Sequence, residues 1–104
     1  MTPLETLKAA RDLISDPARW TQNVSARDSM GRPTCPSASE AVCWCALGAL
    51  GKASRFNSDH VFEVRKLLLK QLGGSVVFIF NDTRTHAEVL ALFDAAIAEL
   101  EATQ

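Results

Sequence analysis

The sequence predicts a helix-rich α+β domain, with about four helices packed on a small two- or three-stranded sheet. Two observations carry that prediction. Three segments share one signature, a hydroxyl residue followed three positions later by glutamate: Thr2–Glu5, Ser37–Glu40 and Thr85–Glu88. In such a capping box the hydroxyl accepts an orphan amide and the glutamate reaches back to the cap's own amide, so each marks a helix start. The second observation is "SVVFIF", Ser75 to Phe80, between Gly73-Gly74 and Asn81-Asp82. A short β-branched and aromatic run bounded by turn residues has the pattern of a buried strand.

The first helix is expected over about Pro3 to Ser15. Pro3 takes the first helical position, where its missing N–H costs nothing, and Leu4, Leu7, Ala10 and Ile14 form one apolar stripe. The helix should stop before Pro17, which cannot continue it, with Asp16 as a possible new cap. Trp20, Val24 and Ala26 then alternate with Thr21, Asn23, Ser25 and Arg27. That makes this stretch the best partner for Ser75–Phe80, whose backbone groups must find partners. "DSMGRP" reads as a turn, and residues 32–35 as a candidate third strand. A second helix, about Ala38 to Leu50, is apolar nearly all round and should be buried. A third begins after Asn57 or Ser58, lines up Val61, Val64, Leu68 and Leu72, and ends at Gly73-Gly74. A fourth, about Arg84 to Glu101, turns Val89, Leu90, Phe93, Ile97 and Leu100 inward. With no internal repeat or linker, residues 1–104 read as a single domain.

Composition narrows the function classes. At 47% hydrophobic and 22% charged the chain can close a core unaided. Eleven basic and twelve acidic side chains give a formal charge of −1, which supplies no long-range field for nucleic acid or an anionic membrane. Arg19, Arg27 and Arg32 cluster in sequence, but scattered solvated arginines account for them. No apolar run approaches the ~20 residues a membrane helix needs, and "MTPLETLKAARDL" lacks the pattern of a secretory signal. An odd count of three cysteines argues against a closed disulfide framework, so a reduced, cytoplasmic setting is expected.

The cysteines admit three readings. Cys35, Cys43 and Cys45 are spaced C-x7-C-x-C, which matches no common structural zinc pattern. On a helix Cys43 and Cys45 would project about 200° apart, so no metal is assigned. Nor is there a P-loop, dinucleotide fingerprint, zincin or nucleophile-elbow motif to imply a cofactor. A catalytic reading uses Cys45 as nucleophile, His86 as base and Asp82 as orienter, in a hydrolase or acyl transferase. His86, at the first position of a helix, should be kept neutral by the macrodipole and so suited to act as a base. The third reading, core packing, explains most. Ala41, Cys45, Gly48 and Ala49 form a small-residue stripe that lets another backbone approach, and Trp44 should be buried.

The candidate binding set lies at the strand ends. Arg27-Asp28 closes one expected strand and Asn81-Asp82 the other, with Trp20 and Arg32 nearby in sequence. Ligand-contacting groups gather at strand ends and helix starts, although Asn and Asp also occur there simply as turn and cap residues.

These same points carry a resemblance: Trp20, Ala26-Arg27-Asp28 with Gly31-Arg32, "WCALGAL" at 44–50, Asn81-Asp82 and "AEVLALFDAAI" at 87–97. Over most of its length the chain resembles a family of small uncharacterised proteins of actinobacteria, other bacteria and their phages. Within the resemblance Cys45 matches the recurrent cysteine, whereas Cys35 and Cys43 look incidental. The resemblance transfers no activity. Its phage and mobile-element association implies small accessory proteins that act by binding. The expectation is therefore a non-enzymatic protein that engages another macromolecule, foremost another protein, through Trp20, Arg27, Asp28, Arg32, Asn81 and Asp82. A homodimer built on the apolar excess of the second and fourth helices also stays open.

Overall fold

The computed structural model describes residues 2–103. Among them are five α-helices, a single 3-10 turn at Pro17–Arg19 and one two-stranded antiparallel sheet. The domain is of the α+β class, with one helix more than the four expected.

Three helices follow the sequence closely. α1 (Pro3–Leu13) and α5 (His86–Ala102) both begin with the full capping box, Thr2 with Glu5 and Thr85 with Glu88. α3 (Ser58–Lys70) starts at Asn57, whose side chain accepts the amide of His60. Their apolar stripes meet in the core: Leu7, Ala10 and Ile14 from the first helical segment, Val64 and Leu68 from α3, and Val89, Phe93 and Ile97 from α5 are buried. α1 packs against both α5 and α2 (Ala46–Ala53).

The middle of the chain departs from expectation. The second helix starts at Ala46, not Ala38, and Ser37–Glu40 forms turns instead of a capping box. The amides upstream of α2 go elsewhere: Val42 N–H donates to Arg27 O (2.9 Å) and Cys45 N–H to Ser25 O (3.1 Å). β1 (Ala26–Arg27) thereby pairs with β2 (Cys43–Trp44), Ala26 opposite Trp44 and Arg27 opposite Cys43. This pairing buries Ala26 and Trp44 together and lets the Trp44 indole donate to Pro36 O at 3.1 Å. The third strand shrinks to one bridge between Arg27 and Pro33.

Because β2 takes the partner expected for Ser75–Phe80, that segment has no strand to pair with. A lone strand would leave its backbone groups unmet, whereas a helix satisfies them internally. Residues 77–83 accordingly form α4 (Val77–Thr83), correcting the reading of "SVVFIF" as a buried strand. Val77 and Asn81, one turn apart, face the core, while Phe78 and Ile79 face outward.

One glycine is obligatory. A Cβ on Gly48 would lie 2.2 Å from the backbone oxygen of Ser25, so only glycine lets the 20–26 segment lie this close to α2. After α2, Arg55 and Phe56 both adopt positive φ, 57° and 59°. This conformation is costly for non-glycine residues, and it sets the Phe56 ring over Gly51.

Candidate functional site

Asn81 is wholly buried and is the centre of the polar structure (0% exposed). Its Oδ1 accepts the Trp20 indole N–H at 2.7 Å and the Ala46 amide at 3.0 Å. Its Nδ2 donates to Thr21 O and to Asp82 Oδ1, both at 3.0 Å. A carboxamide has two donors and two acceptor lone pairs, so this side chain is saturated. The Ala46 amide is one of the orphan donors at the start of α2; Asn81 caps that helix from a distance in sequence. Around the hub, Gln22 Nε2 donates to Asn81 O and Arg84 O, and Asp82 Oδ1 accepts the Asn23 amide at 2.8 Å. Asn23 sits at φ 72°, a conformation asparagine tolerates better than most residues. The Trp20 ring also lies against His86, with centroids 5.4 Å apart.

Arg27 continues the network outward. Its Nε donates to Thr21 Oγ1 (2.8 Å), Nη1 to Gly31 O (3.0 Å) and Nη2 to Gln22 O (3.2 Å). It therefore clamps the 20–22 segment to the 28–32 turn. Asp28 shapes that turn by accepting the amides of Met30 and Arg32 through Oδ1 and the Arg32 side chain through Oδ2. The hydrogen bonds from Arg32 and Met30 hold its carboxyl below the usual aspartate range. Arg27 and Asn81 are thus joined through Thr21 and Gln22. Of the six candidate binding residues, Asn81 is buried, Trp20, Arg27, Asp28 and Asp82 are partly buried within the network, and Arg32 alone is largely exposed. Their geometry is that of an internal tie, so Trp20 and Arg27 are poor choices for removing a binding surface without disturbing the fold.

The cysteines are free thiols: Cys35 exposed, Cys43 partly buried, Cys45 buried. Cys45 is the N-cap of α2 and accepts the Gly48 amide at 3.3 Å. Burial pushes its thiol above the ordinary cysteine range, and the nearby Asp82 carboxylate adds to the rise. His86 is engaged elsewhere, its Nε2 donating to Ile14 O at 2.7 Å. Cys45, His86 and Asp82 therefore form no hydrogen-bonded relay among the described residues. Nor do those residues include a cluster of three or more His, Cys, Asp or Glu able to hold a metal ion. No helix of the described residues is long and apolar enough to cross a membrane.

Sequence reasoning missed an open apolar groove. One lobe, about 600 Å³, is walled by Leu47, Gly48 and Gly51 of α2, Val61, Phe62 and Arg65 of α3, and by Phe56 and Pro36. A second lobe, about 230 Å³, lies between Val24, Leu47, Phe78 and Asp82, with Cys45 at its wall. The two lobes are neighbours that share Ser25 and Leu47 as wall residues. Phe56, Phe62 and Phe78 are 45%, 57% and 54% exposed. One signal could have exposed this surface: Phe62 falls off the Val61–Val64–Leu68 stripe. Another is that "SVVFIF" holds more large apolar residues than one face of a short helix can bury. A separate polar cleft, lined by Glu5, Ser54, Arg55, Asn57 and His60, contains the Thr6 Oγ1 to His60 Nε2 hydrogen bond at its margin (2.6 Å).

Fold and site together define a small α+β domain with an asparagine-centred polar hub and an open apolar groove. The chain belongs to a family of unknown function, DUF6197, whose model matches residues 1–99. No curated protein and no solved structure matches it.

Proposed function

We propose that this domain acts by binding, without catalysis, and that its partner is a protein seated on the apolar groove between α2, α3 and α4. The observation that carries the reading is the set of three half-exposed phenylalanines around two adjacent apolar lobes. Small domains rarely leave contiguous apolar surface unfilled unless something covers it, and aromatic side chains are favoured anchors at protein interfaces. In this reading the protein is a phage- or prophage-derived accessory protein of the bacterial cytoplasm. Supporting that setting are the sequence resemblance across residues 20–97 and the three free thiols.

The cysteine-enzyme alternative lacks a supporting observation, because a catalytic thiol needs a lowered pKa and a partnered base. Cys45 is raised by burial and His86 is bonded to a backbone carbonyl. Alkylation of the folded protein at neutral pH separates the two readings. Cys35 is expected to react readily and Cys45 only when denaturant is added; rapid labelling of Cys45 would move the enzyme reading to the front. The binding reading itself is tested with Phe62→Ser combined with Phe78→Ser. The double variant should keep wild-type stability within about 1 kcal/mol and lose binding of a solvatochromic apolar probe. Undiminished probe binding by the folded variant would rule out the groove as the surface.

A further inference from the structure

We infer that the partner on this groove is a second copy of the chain, docked about a two-fold axis; the inference rests on the binding reading above. The charges at the groove carry it. Arg65 is the one charged residue lining the larger lobe, and Asp82 the one lining the smaller. Neither takes part in a salt bridge among the described residues. The surface therefore has a cation in one lobe, an anion in the other and apolar side chains between.

Such a surface is complementary to itself. A two-fold axis near the shared Ser25 and Leu47 brings the Arg65 lobe of one copy over the Asp82 lobe of the other, twice. Isologous contacts of this kind close at two copies. Phe62 belongs to the Arg65 lobe and Phe78 to the Asp82 lobe, so the same rotation would put lobes that each carry an exposed phenylalanine face to face. Pairing across the interface would also relieve Arg65 of being left without a counter-charge on desolvation. An anionic polymer or lipid surface would favour cations in both lobes, and the Asp82 carboxylate opposes it. Like-charge contacts would result if the two copies docked in parallel, with the same lobes facing each other, so the charges also fix the orientation.

A charge-swap experiment by sedimentation equilibrium decides the matter. Wild-type protein is expected to convert from monomer to dimer as concentration rises. Arg65→Glu and Asp82→Lys, each alone, should remain monomeric over that range. Their equimolar mixture should regain the dimer, because Glu at 65 then faces Lys at 82 at one end and Arg65 faces Asp82 at the other. Asp82 Oδ1 also accepts the Asn23 amide and Asn81 Nδ2 of the hub, so if Asp82→Lys does not fold, Phe78→Lys, one turn away on the exposed side of α4, takes its place. A wild-type monomer at every concentration, or a dimer indifferent to both substitutions, overturns the inference. Where the wild type stays monomeric but its groove still binds the apolar probe, the self-docking idea falls alone. Where probe binding also fails, the binding reading falls with it.

Discussion

The two faces of α4 show opposite uses of one short helix. Its inner face places Asn81 in a hub where every donor and acceptor of the side chain is met. Its outer face leaves Phe78 and Ile79 half-exposed, and Phe78 borders a groove in which Arg65 and Asp82 have no ion-pair partners among the described residues. A buried polar group is tolerated only when it is fully bonded, so the hub has no spare capacity for a ligand. The groove presents apolar area and two charges outside any salt bridge among the described residues, although Asp82 Oδ1 is already bonded to Asn23 and Asn81. Polar residues that look functional in sequence can thus be committed to the fold, while apolar residues that look like core remain available for association.

The contrast fails if the hub is dispensable, and Asn81→Leu tests that most severely. Leucine keeps the approximate volume but strands the Trp20 indole, the Ala46 amide and the Thr21 carbonyl. At about 1–3 kcal/mol for each unmet buried group, and with partial rehydration at the edge of the hub, the loss should be about 4 kcal/mol. A domain of this size has a total stability of roughly 5–15 kcal/mol, so urea unfolding should show a sharply lowered midpoint or an unfolded chain. A loss below about 1 kcal/mol would mean that the hub is not what holds α4 to α2.

Gly48→Ala is the next strongest test. Helix propensity alone favours alanine by about 1 kcal/mol, which is the result expected if the glycine merely occupies a tolerant site. The new Cβ would instead meet Ser25 O at 2.2 Å, and that oxygen already accepts the Cys45 amide. Backbone cannot swing aside as a side chain can, so overpacking should win with a net loss of about 2 kcal/mol. Thermal or urea unfolding gives the sign directly, and a stabilised variant would show that the 20–26 segment is loosely held.

How much of this was legible in the sequence depended on whether a signal was local. The capping boxes at Thr2 and Thr85 and the cap at Asn57 are local, and α1, α3 and α5 start where they mark. The similar signature at Ser37 did not form a helix because the amides at Val42 and Cys45 are taken by the distant 25–27 segment. Likewise, the β-branched character of residues 75–80 lost to a tertiary fact, the occupation of the expected partner strand by Cys43–Trp44. Whether the Ala26-Arg27-Asp28 and Asn81-Asp82 motifs lie together is not legible in the sequence, because it depends on a strand pairing that does not form. Arg27 on β1 and Asn81 on α4 are linked indirectly, through Thr21 and Gln22, and Asp28 bonds only within its own turn. The groove was the least legible feature, since nothing local distinguishes an exposed Phe62 from a buried one.

The gentlest test separates the hub from the turn attached to it by pH. Asn81 does not titrate, nor do its partners Trp20 Nε1, the Ala46 amide and Thr21 O, so those bonds should persist in mild acid. Asp28 does titrate, and its carboxyl is held low chiefly by the Arg32 amide, with help from Met30 and the Arg32 side chain. A carboxylate whose folded pKa is depressed contributes stability that is present above its unfolded value, about 3.9, and is lost as pH falls through the lower folded value. The 28–32 turn should therefore loosen first on acidification. The amides of Met30 and Arg32 should exchange faster below the ordinary carboxylate range, while the Trp20 indole N–H stays protected. Asp28→Asn should abolish that pH dependence at the turn and leave the indole unaffected. Simultaneous loss of both signals would make the turn and the hub one cooperative unit, and the division between a closed interior and an adjustable rim would then lie further out, at the groove itself.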